Sequence, residues 1–231
     1  MSAAKPLALI TGVGPGTGTA VARRFAKGGY RVAMLARDAA RLAALEKEIP
    51  DSIAITCDVS DRAALEAAIT QVGAPNIVVH NAVGGAWGTF LEIAPETLQQ
   101  NFAVNTMALL HLAQLTAPAM VTAGEGAIIV TGNTSAQRGR AAFAGFAPTK
   151  AAQRILAESL ARDLGPKGVH VAYLIIDASI DVPWQRQMRP DKPDDFYTSP
   201  ASIAEEVWHL AHQPRDAWSF LAEVRPFHEP W

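Results

Sequence analysis

The sequence predicts an α/β chain in which helices cover both faces of a doubly wound parallel sheet. Three observations carry this expectation. Short apolar runs alternate with helical stretches along the 231 residues. The runs are rich in β-branched residues, as strands buried on both faces are. A glycine-rich turn, Thr11-Gly12-Val13-Gly14-Pro15-Gly16-Thr17-Gly18, joins the first run to the first helix. Right-handed crossovers convert such alternation into a sheet wound in both directions from its middle.

The elements follow in order. Leu7–Ile10 is the first expected strand, and the helix over Thr17–Lys27 stops at the breaker Gly28-Gly29. Val32–Leu35 is the second strand, and Ala39–Glu48 forms a helix ended by Pro50. Ile53–Thr56 precedes a helix over Asp61–Val72, with Ser60 or Asp61 as its cap. After the strand Asn76–Val79, a long helix is expected over Ala94–Met120, beginning near Pro95. Ala127–Val130 is the fifth strand. An amphipathic helix over Thr149–Leu164 ends at Gly165-Pro166 and leads to the strand Val169–Ile176. Pro183–Pro200, rich in Pro, Asp and Arg, reads as a mobile loop over a cleft. A helix from about Ser202 to His212 and a short strand from about Ser219 to Val224 complete the order. No repeat or linker interrupts it, so residues 1–231 read as one domain.

Composition narrows the function classes. Charged residues make up 18% and hydrophobic residues 49%, the opposite of a disordered chain. The net charge is −2 and no basic stripe occurs, so neither nucleic acid nor an anionic membrane is an expected partner. The single cysteine, Cys57, excludes an intrachain disulfide and a cysteine-based zinc site, and no metal is expected. It is compatible with a reducing cytoplasm, the expected location. Met1 to Lys5 shows no signal-peptide core, and no run of about 18 uncharged apolar residues predicts a membrane span.

The glycine turn points to a ligand. Glycines permit a tight turn and close backbone approach to a pyrophosphate, and the helix start adds free N–H groups and partial positive charge. A strand before and a helix after are the context that a dinucleotide site needs. Thr11, Gly12, Gly16 and Gly18 fit the pattern Thr-Gly-x-x-x-Gly-x-Gly, with Gly14 and Thr17 between them. Asp58-Val59, Asn81-Ala82, Asn105 and Lys150 then follow in the matching order. In these motifs the chain resembles the short-chain dehydrogenase/reductase family. The resemblance implies a Rossmann-type three-layer sandwich with a mostly seven-stranded parallel sheet. It also implies a nicotinamide cofactor, a small-molecule substrate, and a homodimer or homotetramer. Asp58 and Val59 would meet the adenine, and the backbone of Ile180 the nicotinamide carboxamide. Arg37 follows Ala36, where NAD-preferring members place a carboxylate, so NADP(H) is favoured. NAD(H) stays open, because Asp38 could turn toward the ribose.

The catalytic set is incomplete. The family pattern Tyr-x-x-x-Lys reads Phe146-Ala147-Pro148-Thr149-Lys150 here. Phenylalanine has no phenolic proton and cannot act as acid or base. By the family's spacing the serine position falls on Asn133, with Thr134 or Ser135 as substitutes. His80 stands in place of an asparagine and reads as a packed histidine. Phe143 and Phe146, three apart, are expected on one helical face. Lys150 would bind the nicotinamide ribose, and Asn105 would hold a water beside it through a helix distortion. The proton would come from that water, from Asp177 as a carboxyl with a raised pKa, or from the substrate. Asp177 as a loop cap is the plainer alternative. The implied function is hydride transfer to or from a small carbonyl, imine or activated alkene. A redox-silent NADP(H) sensor or interaction protein is the alternative. A non-redox lyase on this fold would show the reverse pattern of kept and lost motifs. The substrate pocket is expected from the loops Val83–Phe90 and Asp177–Pro200.

Overall fold

The computed structural model describes residues 4–228. Met1–Ala3 and Glu229–Trp231, parts of the two terminal stretches, lie outside the described residues. Seven strands form one sheet in the order β3-β2-β1-β4-β5-β6-β9, every pair parallel. They are β1 (Leu7–Thr11), β2 (Arg31–Ala36), β3 (Ser52–Thr56), β4 (Ile77–His80), β5 (Gly126–Gly132), β6 (Val169–Ile176) and β9 (Leu221–Val224). The chain runs outward from β1 to β3, then crosses back to β4 on the other side of β1. Thr11 and His80 end these two central strands in register. The crevice beyond them is where a doubly wound sheet binds ligands.

Alternation along each strand feeds two apolar layers. Leu7 and Leu9 face a core shared with α3 (Arg62–Val72), α5 (Ala108–Ala123) and α6 (Ala147–Leu164). Ala8 and Ile10 face the opposite core, shared with α1 (Thr17–Lys27), α2 (Ala39–Glu48) and α8 (Pro200–Ala211). Side-chain caps set two helix starts. Asp38 accepts from the Arg41 N–H at α2, and Asp61 accepts from the Ala63 and Ala64 N–H groups at α3. Asp61, not Ser60, is therefore the cap of α3.

Two expectations need correction. The long helix is not uniform. It consists of α4 (Pro95–Phe102), a π-helical turn over Ala103–Met107, and α5. By length and composition Pro95–Ala123 could cross a membrane. Yet Leu109, Leu112, Ala117 and Met120 are core residues under the sheet. The segment Pro183–Pro200 is more regular than a loop. It contains α7 (Pro183–Met188) and a 3-10 turn over Asp194–Phe196. β8 (Tyr197–Thr198) then pairs in parallel with β7 (Ser179–Ile180). Arg186 ties the segment together through Asp181 and Asp194. Periodicity misses such short pieces because cross-chain contacts, not repeats, define them.

Candidate active site

A groove of about 680 Å³ opens beyond β1 and β4. Its floor is the glycine turn. Gly12 sits at φ +69°, and a Cβ there would come within 2.5 Å of the Ala82 backbone. Only glycine suits both conditions. Asn81 fixes the turn from the side. Its amide donates to the Gly12 carbonyl at 2.8 Å and accepts from the Thr131 hydroxyl at 3.0 Å. Gly18 packs directly against Gly12 and Val13. Gly14 and Gly16 line the groove, and the Gly14 carbonyl accepts from the Thr19 hydroxyl at 2.6 Å. Thr17, the first residue of α1, lines the groove too. Its hydroxyl is buried and has no hydrogen-bond partner. A buried unpaired hydroxyl at a helix N-terminus suits an anionic oxygen, so the residues fit a pyrophosphate. Thr11 differs from its expected place. Its hydroxyl supports the groove from below by donating to His80.

The far end of the groove holds Arg37, Asp38, Asp58 and Val59, all brought together as the sequence implied. Part of the Asp38 carboxylate is already engaged. It caps α2 and pairs with Arg41 at 2.9 Å. Arg41 was missed by sequence reasoning. Its signal was a second arginine four positions after Arg37, in the first turn of a helix. Asp58 accepts from the Ser60 hydroxyl and N–H, and these bonds lower its pKa, with help from the Arg37 charge. Burial, with Asp58 and Asp61 nearby, pushes the Cys57 thiol up to about 11.

At the catalytic positions the structure departs from the resemblance. Phe146 precedes the first residue of α6 and is 3% exposed. Its ring meets Trp87 edge-on at 4.9 Å, and Trp87 also touches Phe143. Phe143 precedes the helix, so the two phenylalanines share Trp87 rather than a helical face. Ile180 lines the groove beside Gly16, as expected. Ala82 lines it as well. The Asn133 amide oxygen caps a 3-10 turn by accepting from the Ser135 N–H at 3.1 Å. Asn133 and Ser135 line a second hollow, not the groove. Asp177 lines that hollow and pairs with Arg225 at 3.7 Å. It therefore stands beside a cation in the second hollow and not in the groove.

Lys150 gives the largest correction. It is 2% exposed and lines neither space. Its amine donates to the Thr131 carbonyl at 3.1 Å and to the Gln153 side chain. Burial lowers its pKa to about 7. Gln153, absent from the sequence reading, then donates to the Asn105 carbonyl at 2.7 Å. The Gln153 amide thus bridges Lys150 and the Asn105 carbonyl. The helix distortion itself is present, as the π-helical turn that contains Asn105. The Asn105 side chain holds both the N–H and the carbonyl of Gly84. His80 is fully buried and, with its pKa lowered to about 4 mainly by burial, neutral. Its Nε2 donates to the Asn105 carbonyl at 3.3 Å, so Nδ1 accepts from Thr11. Tyr173 on β6 donates to Gln153 from below, and burial raises its pKa. The signal for Gln153 was a polar residue one turn after Lys150 on the buried face of α6.

Comparisons with known proteins identify the family and the fold. The sequence pattern described as short chain dehydrogenase matches residues 6–192. D-erythrulose reductase of Gallus gallus is 36% identical over 165 residues, covering 71% of this chain and 67% of that protein. L-xylulose reductase of Homo sapiens is 30% identical over 164 residues, covering 71% and 67%. Among solved structures, a short-chain dehydrogenase from Rhodopseudomonas palustris superposes with a TM-score of 0.84 at 28% identity, covering 97% of this chain and all of that one. A metagenomic short-chain oxidoreductase in complex with NADP gives a TM-score of 0.83 at 28% identity, covering 96% and 97%.

Proposed function

The chain belongs to the short-chain dehydrogenase family, and from that premise we propose that it is an NADP(H)-dependent oxidoreductase acting on a small carbonyl, imine or activated alkene. One observation carries the cofactor assignment: the unpaired Thr17 hydroxyl, buried at the start of α1 in a groove that ends at Arg37 and Arg41. The bound nicotinamide would supply or accept hydride. The chain's own part is to bind and orient. Thr17 and the N–H groups of the glycine turn face the pyrophosphate. Arg37 and Arg41 face a 2′-phosphate, while Asp38 stays committed to its cap. The NADP complex of a structural relative supports the same choice.

Proton handling sets the substrate class. Phe146 donates nothing, and Lys150 is turned into the core. Substrates that need little acid assistance therefore fit best. The test is NADPH oxidation across matched ketones, iminium ions and activated enones. Faster turnover of the latter two supports the reading. No turnover of any class, despite NADPH binding, sinks it.

The buried Lys150 and the sealed Phe146 favour one second reading, a redox-silent NADP(H)-binding protein. Phe146→Tyr separates the two. If the pocket is competent, the added phenol raises ketone reduction by about tenfold or more. A silent scaffold stays silent. As part of the same proposal, residues 1–231 act as one nucleotide-binding domain and self-associate as a dimer or tetramer. Exposed Met107 and Ile155 give that contact apolar surface, and sedimentation velocity reads the state.

A further inference from the structure

A second hollow of about 480 Å³ lies beyond the ends of β5 and β6, in the size range of small-molecule sites. One wall follows β5 and carries Arg138 and Arg140. The other belongs to the α7–β8 segment and carries Arg189 and Lys192. Some cations elsewhere pair with acids, as in Arg24–Glu205, Arg41–Asp38 and Lys167–Asp163. Among the described residues, none of the four around the hollow pairs with a carboxylate. Aromatic rings hold three of them instead. Arg189 and Lys192 lie over Phe196 at 5.6 and 5.0 Å, and Arg140 lies over Phe143 at 5.9 Å. Asp177 is the one acid lining the hollow, and Arg225 pairs with it. Asp191, Asp194 and Asp195 belong to the same segment but do not line it. The Asn133 oxygen is taken by Ser135, which leaves its NH₂ to donate.

Four cations without a carboxylate partner thus gather around one hollow, in a chain of net charge −2, with Arg189 also donating to the Ser179 hydroxyl. We infer that this hollow receives the substrate, and that the substrate carries a carboxylate or phosphate group held by Arg138, Arg140, Arg189 and Lys192. The inference rests on the oxidoreductase reading for the group that reacts; the anion site itself rests on the cations alone. Opposite walls supply the charges. Guanidinium groups can pair bidentately with the oxygens of either anion.

The test uses the full chain saturated with NADP⁺, so that the pyrophosphate site is filled. Benzoate, phenyl phosphate and benzyl alcohol are titrated calorimetrically at low salt. Either anion is expected to bind at least about tenfold more tightly than the alcohol, and to weaken as salt rises. Tighter benzoate assigns a carboxylate, and tighter phenyl phosphate a phosphate. The exposed pair Arg138→Gln/Arg189→Gln should cost the anions about tenfold and leave benzyl alcohol unchanged. Equal binding of all three, or anion binding untouched in the double variant, overturns the inference. NADPH oxidation by benzaldehyde and 4-carboxybenzaldehyde separates the two levels. A higher kcat/KM for the carboxylate supports both. Turnover with no preference keeps the oxidoreductase reading and overturns the anion site. Selective anion binding without turnover of either aldehyde keeps the anion site and leaves the oxidoreductase reading to the iminium and enone panel.

Discussion

Removing the buried amine should abolish a specific pH dependence of stability. Lys150 is 2% exposed and titrates near about 7 in the fold, against its ordinary 10.5. Between those values the unfolded chain binds more protons than the native one, so stability rises with pH across the window. The whole effect is worth about 4–5 kcal/mol. About 2 kcal/mol of it falls between pH 7 and pH 9. Lys150→Met keeps the length of the side chain and removes the titration. It also leaves the Thr131 carbonyl and Gln153 short of a donor, which costs about 1–3 kcal/mol at every pH. That cost displaces the stability curve without tilting it. Urea unfolding followed by tryptophan fluorescence at pH 7, 8 and 9 reads both quantities. The Lys150 charge also helps lower the pKa of His80, but that pKa, about 4, lies well below this window, so the difference between the two proteins reads Lys150. An equal rise with pH in wild type and variant would refute the reasoning.

Other expectations concern the groove and its supports. Thr17→Val should weaken NADPH about fivefold or more by losing a phosphate donor, while stability holds or rises by up to about 1 kcal/mol; fluorescence titration and urea midpoints read the pair. Arg37→Ala/Arg41→Ala should cost NADPH about tenfold or more and leave NADH almost unchanged; equal losses for both cofactors would count against the 2′-phosphate assignment. Gly132→Ala drives a methyl group into the buried Tyr173 ring and should cost about 3 kcal/mol, seen as a lower thermal midpoint.

Much of the fold could be read because its signals are local. Apolar runs, breakers such as Gly28-Gly29 and the glycine turn lie within a few residues of what they determine. Asn81, Asp58 and Ile180 were legible through their order along the chain: Asn81 and Asp58 follow β4 and β3 of the main sheet, and Ile180 lies in the short β7 just after β6. The direction of Lys150 was not. Helical spacing gives its face, but whether an amine points to a groove or to a carbonyl depends on Gln153 and Thr131, fixed by tertiary packing. Trp87 escaped for a similar reason. It sits 61% exposed on an irregular loop and covers Phe146 from 59 residues away. The basic hollow is likewise assembled from two distant segments, so neither shows a charge run.

The amide at position 153 has a consequence for conduction. A proton wire needs members that each accept on one side and donate on the other. Along this buried chain the arrows converge. Lys150 and Tyr173 both donate to the Gln153 oxygen, and Gln153 donates to the Asn105 carbonyl. From the other end Thr11 donates to His80, and His80 donates to that same carbonyl. A carbonyl oxygen has no proton to hand on. The chain of hydrogen bonds that joins β1, β4, the π-helical turn, α6 and β6 is therefore an insulator. It clamps the frame of the site, and its protein groups form no through-going relay.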